Sequence, residues 1–167
     1  TMPKKEILLY PDKVLKSRAQ EIDNIDLDII SLAEDMKRTM HSAPGVGVAA
    51  PQVGESKRLI VVDQSAGRDE SQLIILINPV IIEKEGVETD TEMCLSVPET
   101  SVDVDRAGRI LVTGTDLGGK EVRMEAQGYL ARIFQHEIDH LDGKVILDYA
   151  SNLKRSIYLK KRKKGTL

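Results

Sequence analysis

The stretch AQGYLARIFQHEIDHLDG, residues 126–143, carries the pattern that decides the fold prediction. Its apolar side chains recur at helical spacing, and the pattern ends near Gly143, a residue type that often terminates helices. We therefore predict an amphipathic helix here, with the sequence HEIDH on it. The apolar positions of this helix are Leu130, Ile133, Phe134, Ile138 and Leu141.

A second helix is predicted nearer the N-terminus, over residues 26–43 (DLDIISLAEDMKRTMHSA). Either Asp26 or Asp28 can cap its start. Residues 44–54 (PGVGVAAPQVG) are too rich in glycine and proline for a regular element and are predicted to form a shaped loop. The apolar positions of the second helix are Ile29, Leu32, Met36 and Met40.

The middle of the chain predicts strands. RLIVVD (58–63) and LIILINP (73–79) have the composition of buried strands, and residues 109–125 predict two strands joined around Gly118 and Gly119. Strands grouped between helical regions, without strict alternation, favour an α+β fold with mainly antiparallel sheets. No linker or internal repeat interrupts the chain, so we expect a single domain.

Composition limits the class of protein. A chain of 167 residues can bury a real core, and with 41% hydrophobic but only 3% aromatic residues that core must be aliphatic. The most apolar window (73–82) is too short to span a bilayer, and the first ten residues contain no secretory signal. A single cysteine cannot form an intramolecular disulfide. We expect a cytoplasmic protein that does not bind membranes.

Charge is unevenly distributed along the chain. The formal net charge is −3, yet residues 149–167 contain seven Lys and Arg side chains and no acidic one. Such a segment is typical of electrostatic contact with nucleic acid, but a solvated helix end explains it equally well.

The HEIDH sequence predicts a metal site. His136 and His140 lie four positions apart, so a helix brings both imidazoles to one face, whereas Glu137 projects about 100° away and can act on a bound water. The pair can also arise by chance. A catalytic site needs a third ligand. We interpret His41 as a surface histidine, and Cys94 is the better candidate, although a lone cysteine is often only a small buried hydrophobe.

Three segments together resemble the signature motifs of the peptide deformylases: GVGVAAPQ (45–52), EMCLS (92–96) and QHEIDH (135–140). These enzymes remove the N-formyl group from new polypeptides. The resemblance covers nearly the whole chain and implies mainly antiparallel sheets around a central HEIDH helix. It also implies an N-terminal helix and a basic C-terminal helix at about 149–167.

The resemblance implies roles for individual residues. The divalent metal, Fe(II) natively with Ni(II), Co(II) or Zn(II) able to substitute, would be held by Cys94, His136 and His140. Metal-bound hydroxide would attack the formyl carbon with Glu137 as general base and acid, while Gln52 and the backbone N–H of Leu95 would stabilise the oxyanion. The substrate would contact Val46, Gly47, Met93, Tyr129, Arg132 and Ile133. Its methionine side chain would lie against Val46 and the turn of Tyr129, Arg132, Ile133 and His136, with Ile133 and Tyr129 fitting that role best.

Two residues depart from the family pattern. Met93 replaces the glycine that usually precedes the ligand cysteine, and its side chain must enter the core or cover the substrate groove. Arg132 stands where family members more often have an apolar residue. We expect its stem to pack at the rim and its guanidinium to reach water. An inward orientation would instead shift preference toward a substrate with an acidic group.

Partners and rival functions follow from the same features. The expected substrates are N-formylmethionyl nascent peptides, and the basic C-terminal segment resembles the helix with which bacterial deformylases contact the ribosome. One rival is an HExxH metallopeptidase that cleaves internal bonds. Another is a ribosome or RNA binding protein with a structural metal, although structural zinc normally has four protein ligands.

Overall fold

The computed structural model describes residues 5–167, so the part of the signal-peptide prediction that concerns residues 1–4 lies outside the described residues. Its helices are α1 (Leu27–Ser42), α2 (Gly128–Leu141) and α3 (Asn152–Lys163). Its strands are β1 (Gly47–Ala49), β2 (Leu59–Val62), β3 (Ile74–Glu85), β4 (Glu88–Cys94), β5 (Val97–Arg106), β6 (Arg109–Thr115) and β7 (Glu121–Gln127).

All named strands pair antiparallel. Five form one sheet in the order β1-β2-β3-β6-β7, and β4 and β5 form a separate hairpin. The predicted α+β class with mainly antiparallel sheets is confirmed. None of the helices within residues 5–167 combines the length and the apolarity needed to cross a membrane.

Strand β2 lies between two helices, which explains its uninterrupted apolar sequence. Ile60 and Val62 pack in a cluster with residues of α2, whereas the alternating Leu59 and Val61 pack with residues of α1. Successive side chains of a strand point to opposite faces, so both faces of β2 are buried. The large sheet therefore fixes α2, the helix that carries HEIDH.

The β4–β5 hairpin belongs to a third hydrophobic cluster. Val97, Val102 and Val104 pack against the segment that follows α2 and against Tyr158 of α3. Cys94, the last residue of β4, is part of this cluster. The cysteine and the histidines thus belong to different parts of the core.

The helices predicted over residues 26–43 and 126–143 were accurate to about two residues at each end, whereas the C-terminal helix predicted at about 149–167 is shorter and spans Asn152–Lys163. Asp26 caps α1, because its side chain accepts a hydrogen bond from the backbone N–H of Ile29. The prediction for residues 126–143 overlapped the end of β7 by two residues, and α2 begins at Gly128.

The prediction of a loop without regular structure over residues 44–54 was wrong. Gly47–Ala49 pairs with β2, with Gly47 opposite Val62, and Ala50–Val53 forms a single 3-10 turn. A strand of three residues is stabilised by its partner strand and not by its own propensity, so local composition could not reveal it. Strand β3 also continues past Pro79, with a register shift between Ile77 and Val80.

Candidate metal centre

Cys94, His136 and His140 come together although they are distant in sequence. One potential ligand atom from each lies within 4.8 Å of the others. The Sγ atom of Cys94 is 3.4 Å from Nε2 of His140, and the two histidines lie on successive turns of α2. The end of β4 supplies the sulfur and α2 supplies both imidazoles.

This donor set fits a divalent transition metal. A thiolate and two neutral imidazoles suit zinc, iron, nickel or cobalt, and three protein ligands leave a position for water or substrate. The buried Nδ1 of His140 has no hydrogen-bond partner, and neither does Oε1 of Glu137. Within residues 5–167 no fourth Cys, His, Asp or Glu joins the group, so a closed structural zinc site is disfavoured.

Glu92 orients the first histidine. Its Oε1 lies 2.8 Å from Nδ1 of His136, which leaves Nε2 of that ring for a metal. Arg106 donates to both carboxylate oxygens of Glu92 at 2.9 Å, and Arg132 donates to Oε2 at 2.6 Å. Burial opposes ionisation, but the hydrogen bonds and charges of Arg106 and His136 prevail and hold the pKa of Glu92 at about 2. The carboxylate therefore acts only as an acceptor.

Glu137 lies beside Gly47, at the wall of the cavity formed next to the three potential ligands. Its side chain is buried, and burial is the main reason that its pKa rises to about 7. A Cβ atom placed on Gly47 would lie 2.5 Å from Oε2 of Glu137. The glycine therefore leaves the space that the carboxylate occupies.

The histidine pKa values shift in opposite directions. Burial lowers the pKa of His140 well below its ordinary value, which keeps the ring neutral as a metal ligand requires. Burial also opposes the charge of His136, but Glu137, Cys94 and Glu92 together raise its pKa well above the ordinary value. A metal at Nε2 of His136 would displace the proton on that nitrogen and leave the proton on Nδ1 in place.

Gln52 is held with its amide nitrogen toward the sulfur. Its Oε1 accepts a hydrogen bond of 2.9 Å from the N–H of Ala49, which directs Nε2 toward Cys94 Sγ at 3.7 Å and Ser96 Oγ at 3.1 Å. An uncharged donor is thus fixed beside the three potential ligands. Leu95, the other predicted oxyanion donor, lines the cavity that opens next to Gln52 and Cys94.

A cavity of about 310 Å³ opens beside these groups. It is lined by both proposed catalytic side chains, by two of the metal-binding candidates, Cys94 and His136, and by every residue predicted to contact substrate. Of the two predicted orientations of Met93, the structure shows the one toward the groove: the residue is 77% exposed and lines the cavity, so its side chain does not enter the core. The predicted substrate residues on this wall are Val46, Gly47, Met93, Tyr129, Arg132 and Ile133.

One predicted substrate residue, Arg132, differs from its predicted environment. Arg132 is only 7% exposed, and its guanidinium contacts Glu92, so the prediction that it reaches water was wrong. The buried carboxylate supplies the partner that an arginine needs inside a protein. His41 lies at the surface as predicted, with its side chain 32% exposed, and its Nε2 lies 2.9 Å from the buried Asp63.

The residues missed by the sequence analysis are those that support the ligands. Glu92 and Ser96 lie within the EMCLS segment but were given no role, and Arg106 lies outside all three motif segments. The sequence held one signal for Arg106: along β5 the inward positions Val102 and Val104 alternate with polar residues, and Arg106 occupies the next inward position. An arginine at an inward position of a strand indicates a buried acidic partner.

Comparison with known proteins agrees with this geometry. The sequence pattern described as "Polypeptide deformylase" matches residues 4–156. A peptide deformylase from Thermodesulfovibrio yellowstonii is 49% identical over 158 residues, which cover 95% of this chain and 96% of the relative. The chain belongs to the polypeptide deformylase family.

Solved deformylase structures have the same fold. A crystal structure of a peptide deformylase from Legionella pneumophila superposes with a TM-score of 0.92 at 38% identity, covering 98% of this chain and 96% of that one. A deformylase from Ehrlichia chaffeensis, crystallised with actinonin, gives 0.90 at 39% identity and 98% coverage of both. Deformylases are metal-dependent enzymes that remove the N-formyl group from nascent peptides, and membership makes this chain an enzyme of that class.

Proposed function

We propose that this chain, as one catalytic domain over residues 1–167, removes the formyl group from the N-terminal formylmethionine of newly made polypeptides and releases formate. One observation carries the proposal: Cys94, His136 and His140 converge beside Glu137 at an open cavity. A cytoplasmic location is part of the proposal, because nascent formylated chains arise there.

The metal would be held by Cys94, His136 and His140, with Fe(II) as the native ion and Ni(II), Co(II) or Zn(II) as substitutes. When bound, a divalent ion lowers the pKa of water to about 7 and polarises a carbonyl oxygen. Glu92 keeps the proton of His136 on Nδ1 and so directs Nε2 toward the ion.

Glu137 is the proposed general base and acid. Its carboxylate borders the cavity, and its buried Oε1 has no partner within the protein. It would take a proton from the attacking water and deliver it to the amine nitrogen as the bond between that nitrogen and the formyl carbon breaks.

Gln52 and Leu95 are the proposed oxyanion donors. The N–H of Ala49 fixes the Gln52 amide, so its Nε2 is preorganised for the formyl oxygen as negative charge develops there. The backbone N–H of Leu95 would be the second donor. Both groups are neutral, so they stabilise the oxyanion without competing for protons.

The peptide is proposed to lie along β1. This strand is at the edge of the five-stranded sheet, where within residues 5–167 its one partner strand is β2, so its other edge can accept an extended chain. The methionine side chain would enter the cavity against Val46 and Ile133, with Tyr129 and Met93 at its rim.

The glutamate role can be tested with Glu137→Gln, which keeps the shape and removes the acid. We expect metal content close to that of the parent and a loss of kcat of at least about 100-fold. Glu125→Gln, on the exposed face of β7, is the matched control and should retain parental activity. A Glu137→Gln protein that releases formate at the parental rate would refute the role.

Contact with the ribosome is proposed through α3. Its last turn carries Lys160, Lys161, Arg162 and Lys163. Reversing the charges of residues 160–164 should weaken binding to purified ribosomes and flatten its salt dependence, while formate release from a short peptide stays unchanged. Binding that survives the reversal at moderate salt would exclude this surface.

A further inference from the structure

The potential metal ligands are divided between two parts of the molecule. Helix α2 packs on the large sheet, and its backbone lies chiefly against β1, β2 and β7. Cys94 belongs instead to the hairpin cluster, which packs on the segment after α2 and on α3. The distance between sulfur and imidazoles therefore depends on what joins the hairpin to α2.

Arg132 makes that connection at three points. From α2 its Nη1 donates to Oε2 of Glu92 at 2.6 Å and to the carbonyl oxygen of Val104 at 2.9 Å. Its Nη2 donates to the carbonyl oxygen of Glu88 at 2.8 Å. One guanidinium thus binds the start of β4, the residue two positions before Cys94, and the facing strand β5.

A second arginine reinforces the connection from the opposite side. Arg106 of β5 pairs with both oxygens of Glu92 and also with Asp139 of α2. The Arg106 backbone pairs with Glu88 in the hairpin ladder, but only the Arg132 guanidinium donates to the carbonyl oxygens of Glu88 and Val104. The two arginines are therefore not interchangeable.

We propose that Arg132 is a positioning residue that fixes the Cys94 hairpin against the histidine helix and so sets the geometry of the metal centre. This rests on the proposed function, since it assumes that the three ligands hold a metal. The guanidinium is occupied by Glu92 and two carbonyls, so it presents no free charge to substrate. Its aliphatic stem forms part of the cavity wall, as the apolar residue of other family members would.

The test compares two buried arginines that hold α2 in place, Arg132 on the helix itself and Arg58 directly before β2. Arg132→Met keeps the stem and removes the three hydrogen bonds. Arg58→Met is the matched control: Arg58 is also 7% exposed, but it binds Asp142 and the Leu141 carbonyl at the C-terminal end of α2, and none of these bonds involves the hairpin. Each variant and the parent would be loaded with Co(II), and metal loss to a chelator would be followed through the thiolate-to-cobalt absorption band.

We expect Arg132→Met to lose cobalt about 10 to 100 times faster than the parent and to have a weaker or shifted thiolate band. Amide exchange over residues 88–106 should accelerate in that variant while exchange in β2 stays unchanged. Arg58→Met should keep the parental band and metal-loss rate, even if its unfolding midpoint falls as far as that of Arg132→Met.

Equal metal-loss rates and identical bands in the two variants would overturn the proposal. Failure of the proposed function would show itself differently. In that case the parent protein would fail to bind cobalt or to release formate before any variant is compared.

Discussion

At the scale of single residues, the position of Glu137 depends on the absence of a side chain at Gly47. Gly47 has no side chain, and the carboxylate of Glu137 fills the space where one would be. A motif glycine in this position serves side-chain packing, because its φ does not lie in the left-handed region. The glycine thereby permits the buried acid beside the metal ligands.

Gly47→Ala should therefore displace Glu137. We expect kcat for formate release to fall by about 100-fold, since displacements of about 1 Å at catalytic groups cost this much. Gly118→Ala, in the exposed β6–β7 turn, is the control and should not change kcat. Parental kcat in Gly47→Ala would mean that the Glu137 position is not critical.

Asp63 gives a residue-level prediction about acid stability. Its buried carboxylate accepts hydrogen bonds from Ser65, from His41 and from the backbone N–H of Gly67. Burial raises its pKa, but these bonds prevail and lower the pKa below the ordinary value. A group with a depressed folded pKa stabilises the protein above its unfolded pKa, about 4, and loses that contribution as pH falls through the folded pKa.

Asp63→Asn should lower the free energy of unfolding by about 1–3 kcal/mol at pH 7, because an amide nitrogen would face backbone donors. The gap between parent and variant should begin to narrow below about pH 4, where the carboxylate becomes protonated in the unfolded parent while it is still ionised in the folded one. Urea titrations at pH 7, 5, 4 and 3 measure it. A gap that stays constant down to pH 3 would contradict the assignment.

At the scale of elements, β3 bends at Asn78. This residue has a φ of 52° and lies at the register shift of the strand. Its side chain accepts from the N–H of Ile22 and donates to the carbonyl of the same residue, at 2.9 and 2.8 Å. Asparagine tolerates the left-handed conformation better than most residues.

Replacing Asn78 separates the two contributions. Asn78→Gly loses only the hydrogen bonds, whereas Asn78→Ala also places a Cβ in the left-handed region. We expect alanine to cost about 1 kcal/mol more than glycine in the free energy of unfolding. Chemical denaturation decides this, and an alanine variant as stable as the glycine variant would rule out backbone strain.

The elements also reveal which features a sequence can predict. Helices α1 and α2 were predictable because their periodicity and the Asp26 cap are local. Strand β1 was not, because pairing with β2 creates it. The environment of Arg132 was hidden for the same reason: its partners lie on β4 and β5, and only the fold brings them to α2. The ligand set was accessible through its motifs.

At the scale of the whole molecule, a bound metal would join two hydrophobic clusters. Its ligands come from the hairpin cluster and from α2 on the large sheet. Removing the ion should therefore loosen one against the other. Ligands that bind only the folded state stabilise it by mass action.

Chelation should lower the free energy of unfolding, by about 2.7 kcal/mol relative to protein with free Ni(II) at 100 times its dissociation constant. Cys94→Ser should lose most of this metal-dependent difference. Urea unfolding of parent and variant, each with and without Ni(II), measures it. An equal metal-dependent shift in both proteins would remove Cys94 from the ligand set.

The most direct measurement is the product balance on formyl-Met-Ala-Ser, using Fe(II) protein prepared without oxygen. We predict formate and free N-terminal amine in equal amounts, with both peptide bonds intact and no reaction on unformylated Met-Ala-Ser. Cleavage of internal peptide bonds, or no formate from folded and metal-filled protein, would contradict the account.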